Sequence, residues 1–131
     1  MVVRGDRSVL RIDGTPEQLG RGAGLRIFHL ALPADWSAAV ASGEYRVSTR
    51  GATLEEVGFI HCSRAEQTDG VRARFYADVP DLLLLTIDTD LLTSPWQFDE
   101  VPGQALSFPH VYGPINLDAV VCKDRWHDSE A

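Results

Sequence analysis

Gly58-Phe59-Ile60-His61-Cys62-Ser63-Arg64-Ala65-Glu66-Gln67 is the stretch around which the rest of the chain is read. Its first half reads as a short strand, its second half as the start of a helix. Ser63 followed three residues later by Glu66 has the form of a capping box, the Ser side chain accepting from a helix amide while the Glu reaches back. Side chains alternate along a strand, so Phe59, His61 and Ser63 share one face and Ile60 and Cys62 the other. Ile60 and Cys62 suit a core. His61 then points the opposite way, at a strand end beside a helix N-terminus, where amides and dipole favour an anion. His61 is the leading candidate for a functional residue.

A chain of 131 residues is one domain, long enough to bury a core without staples. Its 44% hydrophobic and 24% charged content is that of an ordinary soluble globular protein. A net charge of −7 and a single Lys, Lys123, argue against a nucleic-acid-tracking surface. Cys62 and Cys122 are too few for a disulfide framework and sit among apolar neighbours, so both are expected as reduced core residues. There is no signal-peptide hydrophobic region, and Leu82–Leu85, the longest apolar run, is too short to span a membrane. A cytoplasmic protein with no membrane or nucleic-acid partner is expected.

Outward from the central stretch, Leu25–Leu32 predicts a strand whose faces divide into Phe28, Leu30 and Leu32 against Ile27, His29 and Ala31. Pro33 opens a helix to Ser42 that Gly43 stops, with Trp36, Ala39 and Val40 as its buried stripe. Residues 44–49 predict a strand and 50–57 a polar connection. After Ser63 the helix is expected to break at Asp69-Gly70 and resume from Val71 to Ala77, with Val71 and Phe75 inward. Asp81–Asp88 predicts a strand covered on both faces, Trp96–Val101 another, and Leu117–Cys122 the last. Phe108-Pro109-His110-Val111-Tyr112-Gly113-Pro114 reads as a turn-rich approach to that last strand. The expected organisation is an N-terminal extension over 1–24, one α+β domain over 25–122, and a frayed polar tail over 123–131.

His29, His61 and His110 fall inside these elements, and His127 in the tail. If the first three converge on one cleft, a three-histidine zinc site is one reading, although no closely spaced histidine pair supports it. A hydrolase using Ser63 or Cys62 as nucleophile is another, although no nucleophile elbow is present. The Asp99-Glu100 pair stands on a strand just before His110, and its members face opposite ways. Phe108 and Tyr112 flank His110 and could stack on a flat ring. Gln67 is placed to offer an amide to a ligand held beside His61.

Ile27-Phe28-His29-Leu30, the Pro33-Ala34-Asp35-Trp36 helix start, Gly43-Glu44-Tyr45, the central stretch, Arg74-Phe75-Tyr76, Phe108 to Pro114 and Leu117-Asp118-Ala119-Val120 follow one another in order. Together they resemble a bacterial family known as domain of unknown function 952. The resemblance implies an ADP-ribosyltransferase-like fold, a bent, split mixed β-sheet with a few short helices and a cleft between its halves. It further implies NAD or a related nucleotide as ligand, with transfer or cleavage at an ADP-ribosyl or phosphate centre and no metal. By position His29 would orient the ribose, and His61 with Ser63 would form the second motif, entered through Gly58-Phe59. His110, or an acid from Asp99-Glu100, Glu100 foremost, would fill the third. The alternative is a binding module that keeps the cleft without catalysis.

Overall fold

The computed structural model describes residues 24–126. The segment expected as an N-terminal extension lies outside them except for Gly24, as does His127. Three strands carry the longest pairings. β1 (Arg26–Ala31) lies antiparallel to β6 (Leu83–Asp88), which is also antiparallel to β10 (Val120–Arg125). β6 is the middle strand, and both its faces are packed: Leu85 and Ile87 are fully buried in the main core, while Leu84 packs against a smaller cluster on the other side. That is why its sequence opens on a continuous apolar run rather than alternating.

A second three-stranded sheet is built from β5 (Ile60–His61), β8 (Phe108–Val111) and β7 (Trp96–Asp99), all antiparallel, with β8 in the middle. The two sheets meet at one backbone bridge, Phe28 N–H donating to Ser63 O at 2.9 Å and Ser63 N–H to Phe28 O at 2.7 Å. Two small ladders complete the framework: β2 (Glu44–Tyr45) with β9 (Ile115–Asn116), and β3 (Val47–Thr49) with β4 (Ala52–Thr53). α1 (Pro33–Ser42) begins on its proline and ends at Gly43, whose φ of 97° suits only a residue without Cβ. The main core gathers Ile27, Tyr45, Ile60, Cys62, Leu85, Ile87, Val111 and Ile115, and a smaller cluster joins Leu30, Val71, Tyr76, Leu82 and Phe108. Among the described residues no helix is long and apolar enough to cross a membrane.

Several expectations are corrected. Phe108–Val111 is no turn but the central strand, with all four residues buried. Pro109 is tolerated there because it lies one residue past the Cα partners of β5, and its carbonyl still accepts from Cys62 N–H at 2.9 Å. The span 50–57 holds β4 and α2 (Leu54–Val57), and the capping box belongs there. Thr53 Oγ1 accepts from Glu56 N–H at 3.2 Å, and Glu56 Oε1 from Thr53 N–H at 2.9 Å. Ser63 caps nothing, because its backbone is committed to the bridge with Phe28 and its side chain is buried. The following helix, α3 (Thr68–Phe75), runs unbroken through Asp69-Gly70 and is preceded by a 3₁₀ turn over Ala65–Gln67.

Val40 and Phe75, expected inside, are 57% and 41% exposed. The short helices bury only a narrow stripe, here Ala39 in α1 and Thr68 with Val71 in α3. Cys122 is exposed, its thiol donating to Asp124 at 3.1 Å. The tail does not fray at Lys123: Lys123, Asp124 and Arg125 pair in register with Leu85, Leu84 and Leu83.

Candidate functional site

Register places the key side chains. His61 and His110 are direct partners across β5 and β8, so their side chains leave the sheet on the same face. His110 is also opposite Gln97 on β7, which makes Asp99, two residues on, its diagonal neighbour on that face. The outcome is a chain of three side chains. His110 Nδ1 lies 2.8 Å from Asp99 Oδ2, and His110 Nε2 lies 3.1 Å from His61 Nδ1.

Partner chemistry fixes the tautomers of the neutral rings. A carboxylate only accepts, so His110 Nδ1–H donates to Asp99; Nε2 of that ring then accepts from His61 Nδ1–H. His61 Nε2 is left as a lone pair without a hydrogen-bond partner among the described residues. His61 and His110 both line a cleft of about 680 Å³. Around them stand Phe59, Phe108, Val71 and Val101, with Gln67 and Arg74 among its polar residues.

Asp99 is built to stay ionised. Burial pushes its carboxyl up, but hydrogen bonds donated by Tyr112, Gln97 and His110 outweigh that and hold it below the usual carboxylate value. Tyr112 O–H and His110 Nδ1–H converge on the same oxygen, and Gln97 Nε2–H takes the other at 2.6 Å. The His61 ring is lowered from 6.5 to about 4, first by burial and then by the neighbouring His110 and His29. At neutral pH it is an uncharged base. Phe59 lies flat on His110, ring centres 4.0 Å apart and planes 14° apart, and fixes that ring from one side. Gly58, at φ 99°, lets the chain turn from α2 into this position.

The other expected site residues are distributed differently. His29 does not face the cleft. It stands between Ile27 and Ala31 on the core side of β1, only 3% exposed. Its Nδ1–H donates to His61 O at 2.7 Å, and its Nε2 accepts from Tyr45 O–H at 2.9 Å. Both ring nitrogens are used, so it can neither touch a ribose nor join a zinc shell. Among the described residues no group of three or more His, Cys, Asp or Glu could hold a metal ion.

Ser63 is buried behind the site and does not line the cleft. Glu100 is exposed at the end of β7, away from the lining, and Asp99 is the acid that meets His110. Tyr112 reaches Asp99 from the outside rather than offering its ring to the cleft. Gln67 does line the cleft. Its Oε1 accepts from Arg64 N–H at 2.8 Å and its Nε2–H donates to Ser107 O at 3.1 Å. Ser48 and Thr49, not singled out from the sequence, and Arg74, which entered there only within a family motif, also stand in the wall. The three residues of β3 offered no signal for Ser48, because its place depends on β3 folding alongside β5.

A family profile described as protein of unknown function, DUF952, matches residues 30–123. The crystal structure of protein CC0527 from Caulobacter crescentus is similar, with 26% identity, a TM-score of 0.69, and coverage of 80% of this chain and 90% of that one. A double-mutant crystal form of CC0527 gives 25% identity and a TM-score of 0.69 over the same shares. Its solution structure gives 26% and 0.62, over 80% of this chain and 88% of that one. No curated protein matches the chain in sequence.

Proposed function

The chain belongs to the DUF952 family of proteins of unknown function, and from its cleft we propose an enzyme that uses His61 as general base on a nucleotide-like small molecule. The observation that carries this reading is the open Nε2 of His61 at the end of the Asp99–His110–His61 chain. When Nε2 takes a proton from a substrate O–H or N–H, the Nδ1 proton moves to His110 Nε2. The positive charge then rests on His110, whose Nδ1–H faces the Asp99 carboxylate. The chain gains one proton, the one the substrate gives up, and the charge forms where an anion already waits.

The substrate class rests on the wall. Apolar side chains such as Phe108, Val71 and Val101 suit a flat ring, and the Arg74 guanidinium suits a phosphate. Two three-stranded antiparallel sheets joined at a single bridge are compatible with the split sheet of ADP-ribosyltransferases, which makes NAD or a relative the first ligand to try. In the proposed step the deprotonated acceptor attacks the ADP-ribosyl or phosphate centre while the leaving group departs with its bonding pair. One observation favours a second reading, a non-catalytic binding module: Glu100, the carboxylate given to the third motif by resemblance, stands outside the cleft.

Thermal shifts with NAD, ADP-ribose and a nucleoside monophosphate, on wild type and His61→Ala, test the shared premise. Stabilisation of wild type and not of the variant is expected. Nicotinamide release from NAD would then separate enzyme from binding module. No shift with any nucleotide would end the nucleotide reading for both.

A further inference from the structure

The two sheets part just beyond the bridge between Phe28 and Ser63. Continued antiparallel pairing would set Leu30 opposite His61, yet among the described residues the bridge stands alone. On its other edge β5 meets β8, where Cys62 N–H donates to Pro109 O. In the alternating antiparallel pattern that turns the His61 carbonyl away from β8, with no strand to donate to it. A side chain takes the strand's place. His29 Nδ1–H reaches across the opening from β1 and donates to His61 O at 2.7 Å. The ring is held from behind. Tyr45 O–H donates to His29 Nε2 at 2.9 Å, and the two rings meet edge to face with centres 5.0 Å apart. Both side chains are buried.

Resting on the acid–base reading above, we infer that His29 is a positioning residue for His61, acting through the backbone, and that Tyr45 steadies its ring. His61 is thus tied at two ends, its carbonyl to the core by His29 and its ring to Asp99 by way of His110. The second tie depends on the first. The bond of 3.1 Å from His61 Nδ1–H to His110 Nε2 is what leaves His61 Nε2 a lone pair. A strand of two residues has little of its own to hold that alignment. Once the carbonyl is released, Nδ1–H slips from His110 and the ring is free to carry its proton on Nε2 instead. The base is then blocked by its own proton. Packing alone does not account for His29, since an apolar side chain would fill this core position without burying two nitrogens.

Two substitutions divide the ring between them. Asn carries a side-chain N–H where Nδ1 stands and reaches no further, so His29→Asn keeps the bond to His61 and gives up Tyr45. Gln reaches the position of Nε2, so His29→Gln keeps Tyr45 and gives up His61. Each loses one hydrogen bond and part of the ring's volume, and urea unfolding should show similar losses of stability. They should part at His61. ¹⁵N spectra are expected to show His61 protonated at Nδ1 in wild type and His29→Asn, and partly at Nε2 in His29→Gln. Acylation by diethyl pyrocarbonate, read on the His61 peptide by mass spectrometry, should stay within about twofold of wild type in His29→Asn. In His29→Gln it should slow about tenfold, less than the ~10²-fold that a displacement of about 1 Å can cost. An unchanged tautomer and rate in His29→Gln would leave His29 a structural residue and overturn the inference. Equal losses in the two variants would overturn it as well, because the damage would follow core volume rather than the bond to His61. Should His29→Gln not fold, Tyr45→Phe decides, since it releases the ring and keeps the volume. It should slow acylation about threefold, the effect of one weakened hydrogen bond, and an unchanged rate would overturn the inference. A wild-type His61 protonated at Nε2 would end the acid–base reading and this inference together. A wild-type His61 protonated at Nδ1 and indifferent to both His29→Gln and Tyr45→Phe would end this inference alone.

Discussion

His29 and His61 stand on adjoining strands, are joined through the His61 carbonyl, and are both lowered to about 4, each chiefly by burial. By these measures they are twins. They differ in their ring nitrogens. Both nitrogens of His29 end on protein groups, the His61 carbonyl and the Tyr45 hydroxyl. Only one nitrogen of His61 does, and the other is open beside the cleft. A strongly shifted pKa therefore marks burial in both and a candidate function in one. The useful question is which atom has been left without a partner.

The largest expected effect separates the two by stability. His29→Ala removes a ring from the core and orphans both the Tyr45 hydroxyl and the His61 carbonyl. Cavity and unsatisfied groups together should cost about 3–5 kcal/mol. His61→Ala leaves His110 Nε2 facing the cleft, where water can replace the lost partner, and should cost about 1 kcal/mol or less. Urea unfolding of the two variants decides it. A larger loss for His61→Ala would reverse the assignment of structural and open histidine.

Acid sharpens the same contrast. The folded protein holds His29 neutral to about 4, while the unfolded chain protonates it near the ordinary 6.5. Between those values the unfolded state binds more protons, so stability is complete above pH 6.5 and is lost as pH falls toward 4. For His29, 3% exposed, the shift corresponds to roughly 3 kcal/mol. Burial also pushes the Tyr45 hydroxyl upward, so that partner stays uncharged throughout the window. His29→Gln should flatten part of the slope of unfolding free energy against pH. A wild-type profile that is level from pH 6.5 to 4 would contradict the buried neutral ring.

The two histidines also show where sequence reading stops. Alternation placed Ile60 and Cys62 inward and His61 outward, and one strand suffices for that. The same rule set His29 on one face with Ile27 and Ala31, but which face is the core depends on the strand's neighbours. The structure turns that face inward, with His29 held by Tyr45 from a ladder distant in sequence. Asp99 was separated from Glu100 only by the β7–β8 register, which no property of either residue discloses. Pro109 and the Gly113-Pro114 pair disguised β8 as a loop, because proline rarely occupies a central strand. The apolar run Leu82–Leu85, by contrast, marked β6 at once, since a strand packed on both faces favours apolar side chains at successive positions.

The smallest expected effect addresses what the open nitrogen gains from the carboxylate behind it. In Asp99→Asn the amide oxygen can keep the position that receives His110 Nδ1–H and Tyr112 O–H. The new NH₂ then meets Gln97, whose exposed side-chain amide is free to turn and present its oxygen. Geometry, tautomers and stability should therefore persist, and ¹⁵N spectra should still show His61 protonated at Nδ1. What disappears is the charge. Acylation of His61 Nε2 by diethyl pyrocarbonate builds positive charge on the ring, which the proton shift passes to His110 beside Asp99. A charged acceptor outweighs a neutral one by about 1–1.5 kcal/mol, so the variant should react about tenfold more slowly. An unchanged acylation rate with an intact tautomer would mean that the carboxylate only orients the rings. A changed tautomer would mean that Asp99 sets the direction of the chain, and His61 Nε2 would then be a donor in the variant.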